Sequence, residues 1–512
     1  MSRMIYKSRV KNSKRNIVSG LAKQIVSIGL QFAIRTVIIY SLGAEYQGVS
    51  GLFTSILSVL NLSDLGFSAA VTYILYRPIA EGNQKQINGV LSYLKKIYCI
   101  IGTAILCLGG IIMPFLTKLV ADDYPPDINI YVLFLIYIIN SAISYYLFAY
   151  KNALLTAYQR EDIVSNAYTI TLTISRGLQL LLLLLFRNYY VYAVILPLGS
   201  IFNNILVQSF SKKYFPESIP EGEIEEELKI RLNRQVRAVF VNRISDVARN
   251  SFDNIVISSY LGLIAVTVYD NYFYIYSAIV GIMGIVIHGV RSSIGNSMAL
   301  ESVEKNSKDI STFTFIFMWI SGWCTTCLFC LYQPFMMIWM KEKEELVLSF
   351  FDMSLFCFYF YAMCMTYSKN AFLEARGLYK ECEKWYISEA IANLVLNVIL
   401  GKIFGITGIL LATLFTIVFF NFLCGTRVLF NIYFKTGEKQ YFAAHCIYLV
   451  VTVISALTTY FMCSQIDIGG TLGLIIKMAI CTVAPNLMFL LAYGKTEQFI
   501  KAKAVLQKAL KR

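Results

Sequence analysis

Fourteen stretches of mostly apolar residues recur along this chain, each near or above the ~20 residues that a helix needs to cross the hydrocarbon core of a bilayer. They lie near 18–41, 47–76, 87–113, 128–150, 162–186, 189–210, 236–261, 265–288, 309–333, 346–368, 382–401, 405–426, 441–463 and 470–493. A segment of that length in lipid must satisfy its own backbone hydrogen bonds, so each is read as a helix. Composition agrees with lipid as the main solvent. Of 512 residues, 57% are hydrophobic and only 15% are charged, whereas soluble domains carry about a quarter of their residues as charges. The mean hydropathy is +0.61. Pro114 and the cluster Asp122-Asp123-Tyr124-Pro125-Pro126-Asp127 separate the third span from the fourth, a strong local break.

The net charge of +14 would suggest nucleic acid in a soluble protein. Here the basic residues lie between apolar spans instead of along one stripe, so no nucleic-acid partner is expected. They act as a topology signal, because Lys and Arg concentrate on the cytoplasmic side of membrane proteins. With the N-terminus inside, the outward segments hold five of the 45 basic residues: Lys118, Arg187, Lys341, Lys343 and Lys402. Both termini are therefore expected in the cytoplasm. The basic start (Arg3, Lys7, Arg9, Lys11, Lys14 and Arg15) resembles the n-region of a signal peptide, but the apolar run after it is too long for an h-region, and it reads as an uncleaved first span. The outward loops are short and leave no room for an enzyme domain.

Twelve cysteines lie almost entirely inside apolar runs, among them Cys324, Cys327 and Cys330 with no histidine nearby. Cysteine in such surroundings behaves as a small hydrophobe, so no metal site is expected. The histidines, His288 and His445, show no ligand spacing and are read as surface residues.

The longest polar segment, 211–235, divides the chain after six spans. Across it the sequence is weakly self-similar: Ser41-Leu42-Gly43 followed by Leu52-Phe53 echoes Tyr260-Leu261-Gly262 followed by Tyr272-Phe273. Each follows a β-branched run, Val37-Ile38-Ile39 and Ile255-Val256-Ile257. One inserted residue aligns the first span with the seventh and the second with the eighth. This predicts an N-lobe over 1–210 (spans one to six), a cytoplasmic linker over 211–235, and a C-lobe over 236–436 (spans seven to twelve). Residues 437–512 would add two spans and a basic cytoplasmic tail. Transporters use repeats of this kind, with the substrate site at the interface between them.

Charges within spans cost roughly 2.5–3.5 kcal/mol each on insertion scales and face a cavity or a partner. Here they cluster. Gln24, Gln31 and Arg35 share a face of the first span, and Asn61, Asp64 and Ser68 share one of the second. In the seventh span Asn242, Asp246, Arg249 and Asp253 repeat at helical spacing, beside Arg243, Asn250 and Asn254; Asp270 and Asn271 lie within the eighth. Some of these neutralise one another along the helix, such as Asp246 with Arg249, yet a set held only for packing would cost more than apolar substitutes. Arg176, Glu389 and Lys477 are isolated in sequence and are expected to snorkel or pair locally.

Several of these stretches resemble the polysaccharide flippases of the multidrug/oligosaccharidyl-lipid/polysaccharide (MOP) exporter superfamily. They are Arg35-Thr36 before Tyr40-Ser41-Leu42-Gly43-Ala44-Glu45-Tyr46-Gln47-Gly48, then Leu62-Ser63-Asp64-Leu65-Gly66, Leu75-Tyr76-Arg77-Pro78, Tyr150-Lys151, Asp253-Asn254 and Ser293-Ile294-Gly295-Asn296. The resemblance covers nearly the whole chain. It implies an all-α polytopic membrane protein with about fourteen transmembrane helices: two six-helix lobes in a V around a cationic central cavity, plus two C-terminal helices. It implies a multi-pass monomer of the bacterial plasma membrane that moves undecaprenyl-pyrophosphate-linked oligosaccharide repeat units from the inner to the outer leaflet by alternating access. No cofactor is implied beyond coupling to H+ or Na+, and the implied partners are membrane lipids, a polysaccharide polymerase and glycosyltransferases. Arg35 and Arg249 would hold the pyrophosphate, since guanidinium suits phosphate. Gln31, Asn61, Asp64, Asn242, Asp246 and Asp253 would line the same cavity, and Asp64, Asp246 and Asp253 would contact sugar or bind the coupling ion. A cation-coupled drug exporter of the same superfamily is the nearest rival, but it would be expected to place an acid where Arg35 stands. A membrane polymerase or ligase would need a large outward loop, and a channel would need a filter motif; neither is present in the sequence.

Overall fold

The computed structural model describes residues 2–61, 67–121, 124–341 and 343–510; the side chains of 1–14, of many residues in 237–250 and 285–299, and of a few others lie outside that description. The described chain is helical, with no strand. Its helices are α1 (Ser2–Ser41), α2 (Ala44–Leu60), α3 (Phe67–Glu81), α4 (Gln84–Ile112), α5 (Ile130–Tyr146), α6 (Tyr150–Ala157), α7 (Glu161–Phe186), α8 (Tyr189–Tyr214) and α9 (Glu226–Leu300). There follow α10 (Val303–Trp339), α11 (Phe350–Arg376), α12 (Tyr379–Phe404), α13 (Ile406–Thr416), α14 (Gly425–Leu429), α15 (Lys439–Ser464), α16 (Gly470–Tyr493) and α17 (Glu497–Leu510).

The protein is an all-α polytopic membrane protein. Among the described residues eleven helices are long and apolar enough to cross a membrane, and the bent pair α5–α6, with 49° between its members, makes twelve. The remaining two of the fourteen expected spans have local explanations. The span expected over 47–76 comprises α2 and α3, of 17 and 15 residues, on either side of residues 62–66, which lie outside the description. The spans expected over 236–261 and 265–288 fall within the single stretch α9, which kinks at Gly262 (φ 84°, ψ 179°).

That kink gives the sequence repeat a physical counterpart. Gly43, between α1 and α2, has φ 136° and ψ 165°. Both glycines occupy a backbone region that is essentially closed to residues with a Cβ, and they stand at the positions that the repeat aligns. The two breaks also lie against each other. Thr267 Oγ1 donates to the carbonyl of Ala44 at 2.6 Å. A Cβ on Gly48 would sit 2.1 Å from the carbonyl oxygen of Leu263, so only glycine allows that approach.

The chain divides into two compact units, Met1–Thr267 and Val268–Arg512. In the first, α1 runs along α7, α7 packs on α8, and α5 lies between α4 and α8, around a core that includes Phe53, Leu91, Phe134 and Leu154. Three helix starts are set by asparagine caps: Asn83 accepts from the Gln86 amide, Asn129 from Tyr131 and Val132, and Asn188 from Tyr190 and Val191. Such a cap satisfies donors that the first helical turn leaves unpaired. The polar segment 211–235 belongs to this unit and is tied down across the start of α4. Lys151 Nζ donates to the Ser218 carbonyl at 2.5 Å, Gln84 Nε2 donates to the Glu217 carbonyl, and Asn88 Oδ1 accepts from the Ile219 amide.

In the second unit α10 is the central helix, packed on α11, α15, α16 and α17. The basic tail is helical there: α17 docks Phe499 against Trp319 at 5.7 Å between ring centroids. Between α13 and α15 the helix widens to π geometry over Ile417–Cys424 and again over Phe430–Phe434. His445 is buried, contrary to its reading as a surface residue. It lies edge-on to Phe422 and Tyr441 at 4.8 and 4.7 Å, an apolar ring cluster that gathers residues distant in sequence. The side chain of His288 lies outside the description.

Candidate functional site

The first unit contains a cavity of about 580 Å³ lined mostly by hydroxyl and amide side chains. Helical spacing explains how they converge. Ser50, Thr54, Ser58 and Asn61 stand three or four residues apart along α2 and its end, so they share one face. Tyr137, Asn140, Ser141 and Ser144 do the same on α5, and Tyr192, Leu196 and Ser200 on α8. The faces are cross-linked: Ser141 Oγ donates to Asn61 Oδ1 at 2.8 Å, Ser200 Oγ to Asn140 Oδ1 at 2.7 Å, and Tyr137 OH to Ser50 Oγ at 3.1 Å.

Arg176 on α7 is the charged side chain among the described residues lining this cavity. Its guanidinium donates to Gln31 Oε1 at 3.2 Å, Gln179 Oε1 at 3.0 Å and Tyr192 OH at 3.4 Å. All three acceptors are neutral, so the positive charge is held in place without being cancelled by them. A second cavity of about 350 Å³ is also lined by Arg176 and shares Asn140, Ser144, Leu196 and Ser200 with the first. Three buried oxygens along this polar route, Asn152 Oδ1, Thr171 Oγ1 and Asn203 Oδ1, have no hydrogen-bond partner among the described residues. Buried polar atoms are rarely left so, and these can accept from a hydroxylated ligand or from water.

The expected site residues distribute as follows. Gln31 and Asn61 line the cavity. Arg35, one turn beyond Gln31, is buried at 7% exposure, and Arg249 and Asp253 on α9 are buried at 2% each; none of the three is among the described side chains lining this cavity. Next to Asp253, Asn254 reaches Ser55 on α2 at 3.1 Å. Asp64 and the side chains of Asn242 and Asp246 lie outside the described residues. Sequence reasoning misses Arg176, because an isolated charge in a span is weighed only by its local pairing. Arg176 does bond locally to Gln179, yet it also crosses to Gln31 on α1. The available signal was the four-residue spacing of Ser, Thr and Asn along α2 and α5, not charge.

Glu389 is likewise not isolated. Glu389, Asn393 and Asn397 form a buried polar stripe on α12. Asn421, in the first π segment, donates to Glu389 Oε2 at 3.3 Å and accepts from Lys369 Nζ at 2.8 Å. Asn393 donates to Thr413 Oγ1 at 3.2 Å. A Cβ on Gly425 would stand 2.6 Å from Lys369 Nζ, so a glycine makes room for the buried ammonium.

No family model matches the sequence, and no curated protein does. Solved structures do match. An inward-facing multidrug-resistance MATE family transporter of the MOP superfamily superposes with a TM-score of 0.63 at 14% identity, covering 80% of this chain and 98% of its own. The lipid II flippase MurJ in an inward closed conformation gives the same TM-score and identity, covering 93% of this chain and 98% of its own. A MOP superfamily transporter from Pyrococcus furiosus, described as having a binding pocket of reverse polarity, gives 0.54 at 13% identity over 82% of this chain and 96% of its own. The chain therefore has the fold of MOP superfamily transporters.

Proposed function

We propose that this protein is a flippase that carries undecaprenyl-pyrophosphate-linked oligosaccharides from the inner to the outer leaflet by alternating access. The cavity around Arg176 carries the reading: one guanidinium among hydroxyls, amides and the tyrosines Tyr98, Tyr145 and Tyr192. Hydroxyls and amides exchange hydrogen bonds with sugar, and a guanidinium binds phosphate oxygens. A site for cationic drugs would call for the opposite charge. The MurJ match also covers 13% more of the chain than the MATE match, about 67 residues, roughly the size of the segment holding α15 to α17.

Arg35 and Arg249 are proposed as further phosphate partners in the same unit as Arg176. Asp253, together with Asp64 and Asp246, is proposed for sugar contact or for coupling to H+ or Na+. The protein would act in a bacterial plasma membrane as a monomer, downstream of glycosyltransferases and upstream of a polymerase.

The test is transport in proteoliposomes loaded with an undecaprenyl-pyrophosphate-linked oligosaccharide, scored by access of an impermeant lectin. Arg176→Ala should lower the initial rate at least tenfold at equal protein level, Arg176→Lys should retain part of it, and Arg187→Ala on an outward loop should be neutral. Wild-type vesicles that expel a cationic dye and leave the lipid-linked sugar in place would show the drug exporter instead.

A further inference from the structure

Three cysteines that the sequence scatters over 151 positions meet inside the second unit. Cys330 comes from the C-terminal third of α10, Cys463 from the end of α15 and Cys481 from the middle of α16. Their Sγ atoms all lie within 4.8 Å of one another, Cys463 and Cys481 being 3.9 Å apart, and all three are buried. Cys327 and Ile480 pack around them. The backbone near the cluster is otherwise engaged, since the Cys481 carbonyl accepts from Trp323 Nε1 at 3.0 Å.

The spacing is that of a ligand set. An ion about 2.3 Å from each of three sulfurs, the usual metal–thiolate distance for zinc, holds those sulfurs ~4.0 Å apart. We infer that Cys330, Cys463 and Cys481 form a binding site for a soft monovalent metal ion, Cu(I), that joins α10 to the last two membrane helices. The donor set selects the ion. Thiolates suit Cu(I) and zinc, but zinc sites are nearly always four-coordinate. The group is three cysteines with no histidine or carboxylate among the described residues, and the neighbouring Cys327 turns its Sγ to the Cys481 carbonyl at 3.6 Å instead of joining it.

The charges balance. Cu(I) binding two thiolates and one neutral thiol carries −1, and two protons leave the cysteines for solvent with no change of oxidation state. Lys477, one helical turn before Cys481 on α16 and in electrostatic reach of Cys463, supplies +1. A half-buried lysine inside a span is thereby given a counter-charge, and a net neutral site costs far less in a bilayer than a charged one.

The experiment is an anaerobic titration of the reduced, detergent-purified full chain with Cu(I) buffered by bicinchoninate. The wild type should take one equivalent and melt at a higher temperature when it is bound, because an ion that binds only the folded state stabilises it. Cys330→Ser, Cys463→Ser and Cys481→Ser should each weaken uptake at least tenfold and abolish the thermal shift. Cys107→Ser and Cys446→Ser, at exposed positions, should leave both unchanged. Alanine at Cys463 serves as a second variant if serine lowers the metal-free melting temperature. Uptake equal in the wild type and in the triple serine variant would overturn the site, as would a Cys463–Cys481 disulfide in peptides from the unreduced protein.

Discussion

At the scale of single residues, glycine and arginine carry the most consequence. Gly262 holds a conformation that costs other residues about 1–3 kcal/mol, and Gly48 faces a backbone carbonyl that cannot step aside. Gly262→Ala and Gly48→Ala should each lower the thermal unfolding midpoint in detergent, Gly48→Ala by the larger amount. Gly110→Ala on α4, whose Cβ would meet nothing within 4 Å, should hold or raise it, since alanine favours the helix by roughly 1 kcal/mol. Equal midpoints for all three would refute the close-approach argument. Gly43 and Gly262 are legible in the sequence as a repeated motif, because a backbone that only glycine tolerates leaves its mark at one position. Arg176 is not, since its importance lies in partners 145 and 16 residues away.

At the scale of elements, a stripe of polar residues says that a helix face is buried against something polar without saying what. On α12 the stripe Glu389, Asn393 and Asn397 meets Asn421 and Thr413, and through Asn421 it meets the fully buried Lys369. Removing one charge from such a network leaves the other uncompensated, at about 3–5 kcal/mol, whereas replacing both with apolar groups can be neutral. Lys369→Met and Glu389→Leu should therefore each destabilise the protein, and the double variant should recover most of the loss when unfolding is followed by a fluorescent thiol probe or by circular dichroism. Additive losses in the double variant would show that the two charges do not share one network. The π geometry at Ile417–Cys424, where Asn421 sits, has no signature in a hydropathy profile: the segment reads there as ordinary apolar helix.

At the scale of the whole molecule, the order of apolar spans was legible, and the fourteen expected stretches cover the helices long and apolar enough to cross a membrane, with α5–α6 bent, α9 kinked at Gly262 and residues 62–66 outside the description. Orientation belongs to this scale as well. The distribution of Lys and Arg predicts that 222 lies inside and 467 outside. In a background lacking the exposed Cys107 and Cys446, Asp467→Cys should react with an impermeant maleimide in intact cells and Gly222→Cys only after lysis. The reverse pattern would invert the topology. The tail at the end of the chain shows a limit of hydropathy and charge: its charges suggest a solvated segment, yet α17 carries Phe499 onto Trp319.

The sequence by itself determined that this chain lives in lipid, the order of its apolar spans, and that its halves open alike. Those properties follow from short-range physics, because an unsatisfied backbone or a charge in hydrocarbon is penalised wherever it stands. Only the tertiary structure decided which polar side chains share a space: Gln31 and Asn61 with Arg176, Glu389 with Lys369, and Cys330 with Cys463 and Cys481. Such groupings depend on how each helix is rotated and bent against its neighbours. Apolar packing in lipid sets that rotation through many small contacts, and none of them is visible in the hydropathy of one span.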